Sequence, residues 1–186
     1  MKPSARERLL DAADELFYAD GVRSVGIDKV IERAGVAKAS LYSTFGSKEE
    51  LVRAYLTRRY EARKTRLSRV VEAQITPRDK ILAIYESLAE MSGRPGFRGC
   101  AFVNATAESA PGSAAEQVTD QVREFVRGLF HDLAAQAGVA DPAQLAAQLV
   151  LLHDGAIIGA RLDRDPSVAL TARAAAAALL DAALVK

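Results

Sequence analysis

The groups in this chain with the most familiar reactivity are two histidines and one cysteine, and they do not converge. His153-Asp154 sets an imidazole beside a carboxylate, a pairing suited to acid–base chemistry or to orienting a ligand. A helical enzyme acting on small molecules is one reading of that pair, but no nucleophile or second carboxylate completes a catalytic set. His131 and His153 are too widely spaced to form a metal motif, so neither a metal nor a cofactor is expected. Cys100 is the only cysteine, which excludes an intrachain disulfide and suits a reducing compartment. Arg98 is its one adjacent cation, so it reads as a buried, inert thiol before a redox sensor.

A denser set of donors lies in residues 34–51, AGVAKASLYSTFGSKEEL. Lys38, Ser40, Tyr42, Ser43, Thr44 and Lys48 supply ammonium and hydroxyl groups, and no carboxylate lies between Arg33 and Ser47. Side chains of these types donate to phosphate oxygens, and an acid among them would repel a polyanion. The small side chain of Ala39 permits close approach.

The elements that must position these groups are helices. Apolar residues recur at helical spacing almost throughout, with no extended period-2 alternation, which predicts an all-α protein of nine helices. Leu9, Ala13, Leu16 and Phe17 mark a first helix ending at Gly21, and Ile27, Val30, Ile31 and Ala34 a short second one ending at Gly35. A third helix is expected over about Lys38 to Phe45, with Leu41, Phe45 and Val36 turned inward. Ser47-Lys48-Glu49-Glu50 has the spacing of a capping box for a long fourth helix. Thr76-Pro77, Asp141-Pro142 and Asp165-Pro166 mark later helix starts, a short helix is expected from Cys100 to Ser109, and Val118, Val122, Phe125, Leu129 and Leu133 give a core stripe.

Two short helices joined at Ala34-Gly35-Val36 fit a helix-turn-helix, in which the second helix enters the DNA major groove. Over residues 5–60 the sequence resembles the TetR family of bacterial transcriptional repressors. The resemblance rests on Phe17 to Gly21 (F-x-x-x-G), Ala34-Gly35-Val36 (A-G-V), Leu41 to Phe45 (L-Y-x-x-F) and Ser47 to Leu51 (S-K-E-x-L). It implies that Tyr42 and Lys48 contact DNA phosphates and that Lys38, Ala39, Ser40 and Ser43 face bases or backbone. Two positions depart from the family pattern. Gly26 replaces the usual Ser or Thr that caps the second helix and touches a phosphate, and Ala39 stands where glycine is common.

The resemblance divides the chain into a three-helix DNA-binding domain, residues 1–66, and a helical ligand-binding and dimerisation domain, residues 67–186. It implies a pseudo-palindromic operator in double-stranded DNA, a small-molecule effector, and a homodimer through the last two helices. Charge agrees in sign: residues 1–66 hold 14 Lys/Arg against 10 Asp/Glu, and the rest 11 against 14. Alanine makes up 24 of the last 86 residues, and such small side chains let helices pack closely against a second copy. A monomer's own core, or an adaptor binding protein through these helices, remains the alternative.

Residues 97–109, FRGCAFVNATAES, are similar to a Gly-Cys-x-x-x-Asn segment of some family members. Tyr85, Met91, Phe97, Phe102 and Phe125 are candidates for an apolar effector pocket, with Cys100, Asn104 and His153 as polar points, or for plain core. The basic run at residues 58–66 is expected to be a solvated face. The N-terminus is charged with no apolar leader, and no stretch reaches the about 18 apolar residues of a membrane span, so a cytoplasmic chain that does not enter the membrane is expected.

Overall fold

The computed structural model describes residues 3–184. Among them are nine helices and no strand: α1 (Ala5–Asp20), α2 (Ile27–Ala34), α3 (Lys38–Phe45), α4 (Lys48–Glu72), α5 (Pro77–Ser92), α6 (Ala101–Ala107), α7 (Ala114–Gln136), α8 (Pro142–Asp163) and α9 (Val168–Leu184). They form two compact units. One comprises Met1–Ala62 together with Cys100–Gln121, the other Arg63–Gly99 with Val122–Lys186. A division at Arg66 in the sequence therefore does not coincide with the compact units. The first also takes up α6 and the beginning of α7.

The first unit is built on α1. Ser4 caps it in a complete capping box, its hydroxyl accepting from the Glu7 N–H at 3.2 Å while the Glu7 carboxylate accepts from the Ser4 N–H at 2.6 Å. Its inner face buries Leu9, Ala13, Leu16 and Phe17, and the Phe17 ring meets Tyr55 of α4 edge-on, with centroids 5.6 Å apart. At the start of α4 only half of the expected box is made. The Ser47 hydroxyl accepts from the Glu50 N–H at 3.1 Å, but the Glu50 carboxylate pairs with Arg53.

The basic run is exposed or half-buried throughout, as expected of a solvated face, but it is also tied to α1. Arg59 forks onto both oxygens of Asp14, at 2.7 and 2.9 Å, and its guanidinium lies 4.0 Å from the Tyr18 ring centroid. Arg58 pairs with Asp11. Helical spacing shows that these arginines share a helix; it does not show that α1 offers two carboxylates opposite them.

The second unit packs α5, α8 and α9 together. Thr76 and Asp141 cap α5 and α8 as expected, each with proline in the first turn. In α7 the buried stripe runs through Val118, Val122, Val126, Phe130 and Leu133, leaving Phe125 and Leu129 half-buried. Both pairs are apolar, so spacing alone cannot choose between them. Packing chooses Phe130, whose ring lies 6.0 Å from both Tyr85 and His153. Gly159 lets α9 approach α8, since a Cβ there would stand 2.8 Å from Val168.

The 22-residue α8 is by length and composition apolar enough to cross a bilayer, contrary to the expectation from apolar runs. Within the second unit it buries Leu145, Leu149, Val150, Ala156, Ile157 and Ala160, and its Asp154 pairs with Arg123.

Two glycines make opposite predictions. Gly21 ends α1 at φ 93° and ψ 151°, a region closed to side chains, and a Cβ there would fall 2.5 Å from the Glu108 carboxylate. Gly128 lies inside α7 with open space around it. Gly21→Ala should lower stability by about 1–3 kcal/mol, whereas Gly128→Ala should raise it by about 0.5–1 kcal/mol. Denaturant unfolding of the two variants checks the opposite signs.

Candidate nucleic-acid interface

The turn between α2 and α3 is set by Gly35, the one position there whose backbone is left-handed (φ 62°, ψ 45°). Its N–H bonds the Glu32 carbonyl at 3.1 Å and the Val36 N–H bonds Ile31 at 3.2 Å, the two bonds of a Schellman closure. From α1, the Arg8 guanidinium donates to the carbonyls of Ala34 and Gly35 at 3.4 and 3.1 Å. Arg33 forks onto Glu15, tying α2 to α1 a second time.

Below this turn α3 has one fully buried anchor, Leu41. Phe45 and Val36 are half-buried where the spacing placed them inward, and Arg6 covers the Phe45 ring at 5.7 Å. An eight-residue helix with a single apolar anchor has little stability of its own, so its orientation is inherited from the turn.

The opposite face carries most of the expected donors. Lys38, Ala39, Tyr42, Ser43 and Thr44 are exposed and Ser40 is half-buried. Tyr42 is 46% exposed, a large phenol left in solvent. The Ser43 and Thr44 hydroxyls donate back to the Ser40 carbonyl, at 3.2 and 2.6 Å, and must rotate to reach any external oxygen.

The absence of acids between Arg33 and Ser47 does not extend to three dimensions. Asp28 of α2 accepts from Lys38 Nζ at 2.9 Å, and this contact holds the Lys38 pKa above its ordinary value. No linear window shows the contact, because the partner lies on the preceding helix.

Lys48 opens α4, where free N–H groups and the helix dipole favour an anion. It is half-buried, and desolvation pulls its pKa below the usual lysine value, an effect the Glu108 carboxylate opposes. Gly26 is the N-cap of α2, with no side-chain cap and open space where a Cβ would stand.

The segment after α6 also belongs to this unit, which the sequence did not suggest. Glu108 Oε2 accepts from the Arg23 N–H at 2.8 Å, beside Gly21. Glu49 accepts from the Ala114 N–H at 3.1 Å, and Arg53 donates to Gln117 at 2.9 Å. A cleft of about 630 Å³ lies between these contacts, lined by Arg23, Lys48, Glu49, Glu108, the turn after α6 and the start of α7. None of the expected pocket residues lines it.

Those residues are divided between the units. Cys100, Phe102 and Asn104 are in the first: Phe102 is buried, and Cys100 and Asn104 are half-buried. Tyr85, Met91, Phe97, Phe125 and His153 are in the second, where Tyr85 and His153 are buried and the other three half-buried. The Tyr85 hydroxyl donates to the Leu149 carbonyl at 2.7 Å. Among the described residues no cluster of His, Cys, Asp and Glu is arranged to hold a metal.

Residues 9–55 match the profile described as "Bacterial regulatory proteins, tetR family". A solved TetR-family transcriptional regulator from Streptomyces coelicolor is 32% identical, with a TM-score of 0.91 over 96% of this chain and 95% of that one. The HTH-type transcriptional repressor NemR of Escherichia coli is 29% identical over 171 residues, 86% of this chain and 85% of NemR. Its reduced form has a solved structure with a TM-score of 0.81. The HTH-type transcriptional regulator YjdC of the same organism is 27% identical over 156 residues, 82% of this chain and 81% of its own. The resemblance read from the helix-turn-helix motifs is thereby borne out at the level of the whole chain, which belongs to the TetR family of transcriptional regulators and is not an enzyme.

Proposed function

We propose that this regulator is a cytoplasmic repressor that binds a pseudo-palindromic operator as a homodimer and is released by a small-molecule effector. The observation that carries the reading is the exposed α3 face: Lys38, Ala39, Tyr42, Ser43 and Thr44 stand in solvent on a helix whose only fully buried residue is Leu41. The relative NemR is named a repressor, which favours repression over activation.

In this reading the three-helix part of residues 1–66 binds DNA, residues 67–186 bind the effector and dimerise, and the end of the first segment, residues 63–66, lies in the effector-binding unit. Tyr42 and Lys48 donate to phosphates and set affinity. Lys38, Ala39, Ser40, Ser43 and Thr44 lie at the groove, where Ala39 offers a methyl to a thymine methyl. Gly26 contributes only a backbone N–H, so this reader is short of one phosphate contact. Within the second unit, His153 is the polar point of an effector pocket walled by Tyr85, Met91, Phe97 and Phe125.

The dimer reading is supported by a stripe on α8. Leu151 and Leu162 are each 73% exposed and Ile158 is 49% exposed, at positions that share one helical face. Leu170 and Leu184 of α9 are exposed as well, at 48% and 40%. Two such pairs make a four-helix contact, and a pseudo-palindromic operator asks for two α3 helices about one DNA turn, roughly 34–36 Å, apart. Leu151→Asp combined with Leu162→Asp should give a folded monomer in sedimentation velocity; an unaltered dimer would remove this interface.

The DNA assignments are tested by selecting bound sequences from a random pool and measuring affinity for the winner. Lys48→Ala should weaken binding to all sequences and flatten the salt dependence by about one phosphate contact. Asp28→Asn frees Lys38 and should tighten binding. Gly26→Ser, which fits the open space, should tighten it further. Ser40 and Ser43 substitutions should change the preferred bases instead. A Lys48→Ala protein with unaltered affinity and salt slope would refute the phosphate role.

A further inference from the structure

The second unit contains a charge that nothing in the described structure neutralises at close range. Arg66, on α4, is part-buried, and its guanidinium hydrogen-bonds the hydroxyl of Ser87, itself buried on α5. The other charges acting on it are mostly of its own sign. Arg63 and Arg94 oppose it and Glu90 alone favours it, and burial together with the two arginines brings its pKa down to about 10. Among the described residues, no carboxylate lies within ion-pairing distance of Arg66.

The neighbouring acid is already engaged. Asp154 accepts from Arg123 at 2.8 Å and lies 3.5 Å from Nδ1 of His153. His153 is itself buried. Burial lowers its pKa, and Arg63 and Arg66 push in the same direction against the Asp154 contact. Its ring forms an aromatic cluster with Tyr85 and Phe130, at centroid separations of 6.5 and 6.0 Å. Arg66 thus shares its region with two further arginines, a neutral imidazole and aromatic rings, and Glu90 is the one carboxylate that acts on it.

A guanidinium presents five N–H donors in a planar fork, and a hydroxyl occupies little of it. Desolvating such a charge without a counter-charge is unfavourable, and a bidentate carboxylate is the partner whose geometry fits the fork best. The buried rings of Tyr85, Phe130 and His153, on the last of which Arg66 acts, give the unit an apolar interior that suits the apolar remainder of an amphipathic molecule. We infer that the effector is an amphipathic organic acid, with its carboxylate anchored by Arg66 and Ser87. The inference rests on the effector-released repressor proposed above and specifies the ligand class of that regulator. It excludes cations and neutral drug-like molecules as the primary ligand.

The test uses the full-length protein, wild type, Arg66→Met and Arg66→Lys, with straight-chain carboxylates from acetate to decanoate and with benzoate. The alcohol and the amine of each chain length serve as controls. Thermal shift and calorimetry report binding, and the proteins are titrated with operator DNA in parallel, with and without each acid. Acids should stabilise the wild type more as the chain lengthens, and the alcohols and amines should not. Arg66→Met should melt no lower than wild type when ligand-free, because it removes an unpaired charge, and should bind the acids about tenfold or more weakly. Arg66→Lys keeps the charge without the fork and should fall between them.

Acids that bind no better than their alcohols, or equally well to Arg66→Met, overturn the inference, and the parallel DNA titration leaves the repressor reading standing. Acid binding that requires Arg66 yet leaves operator affinity unchanged contradicts effector release instead.

Discussion

The guanidinium of Arg8 reaches from α1 to the carbonyls of Ala34 and Gly35, and the presentation of α3 depends on the turn it pins. An isolated helix of eight residues is not stable in water, and α3 contributes one buried leucine to its own support. Its direction comes from the Gly35 closure and the α1 contacts that hold that closure in place. Once the direction is fixed, the outward face follows from the helical period. The third helix is therefore a passive element, and the side chains that make it useful are those not needed to hold it.

The charges on that face are more balanced than the sequence suggests. Lys38 is shared with Asp28 and the Glu108 carboxylate acts on Lys48, so the two lysines of the proposed interface already have intramolecular anions near them. Contact with DNA would exchange each anion for a phosphate. An exchange contributes less net attraction than a free cation would, which lowers affinity for arbitrary DNA and leaves discrimination to the base-facing residues. Glu108 also fixes the backbone of the α1–α2 turn through Arg23, so one carboxylate acts on both position and charge in the reading unit.

Much of this was legible in the sequence wherever the determinant was local. The α3 bounds, the Gly35 turn and the Thr76 and Asp141 caps depend on residues within a few positions of one another, and each was readable. The failures share a different cause. The Asp28–Lys38 pair, the Asp14 fork on Arg59, the preference of α7 for Phe130 over Phe125 and Leu129, and the inclusion of Cys100–Gln121 in the first unit all depend on which element packs beside which. Periodicity gives the faces of a helix but not its neighbours. The Ser4 box of α1 is local as well, because Ser4 and Glu7 stand three residues apart and make both of its bonds.

The central claim is that α3 and the start of α4 form a phosphate-tracking surface. It is tested most directly by the affinity of the purified full-length protein for the intergenic DNA upstream of its own gene, measured across a range of salt concentrations. The logarithm of the association constant should fall steeply and linearly with the logarithm of salt concentration, with a slope that reports several neutralised phosphates. Absence of a complex at low salt, or affinity indifferent to salt, would contradict it.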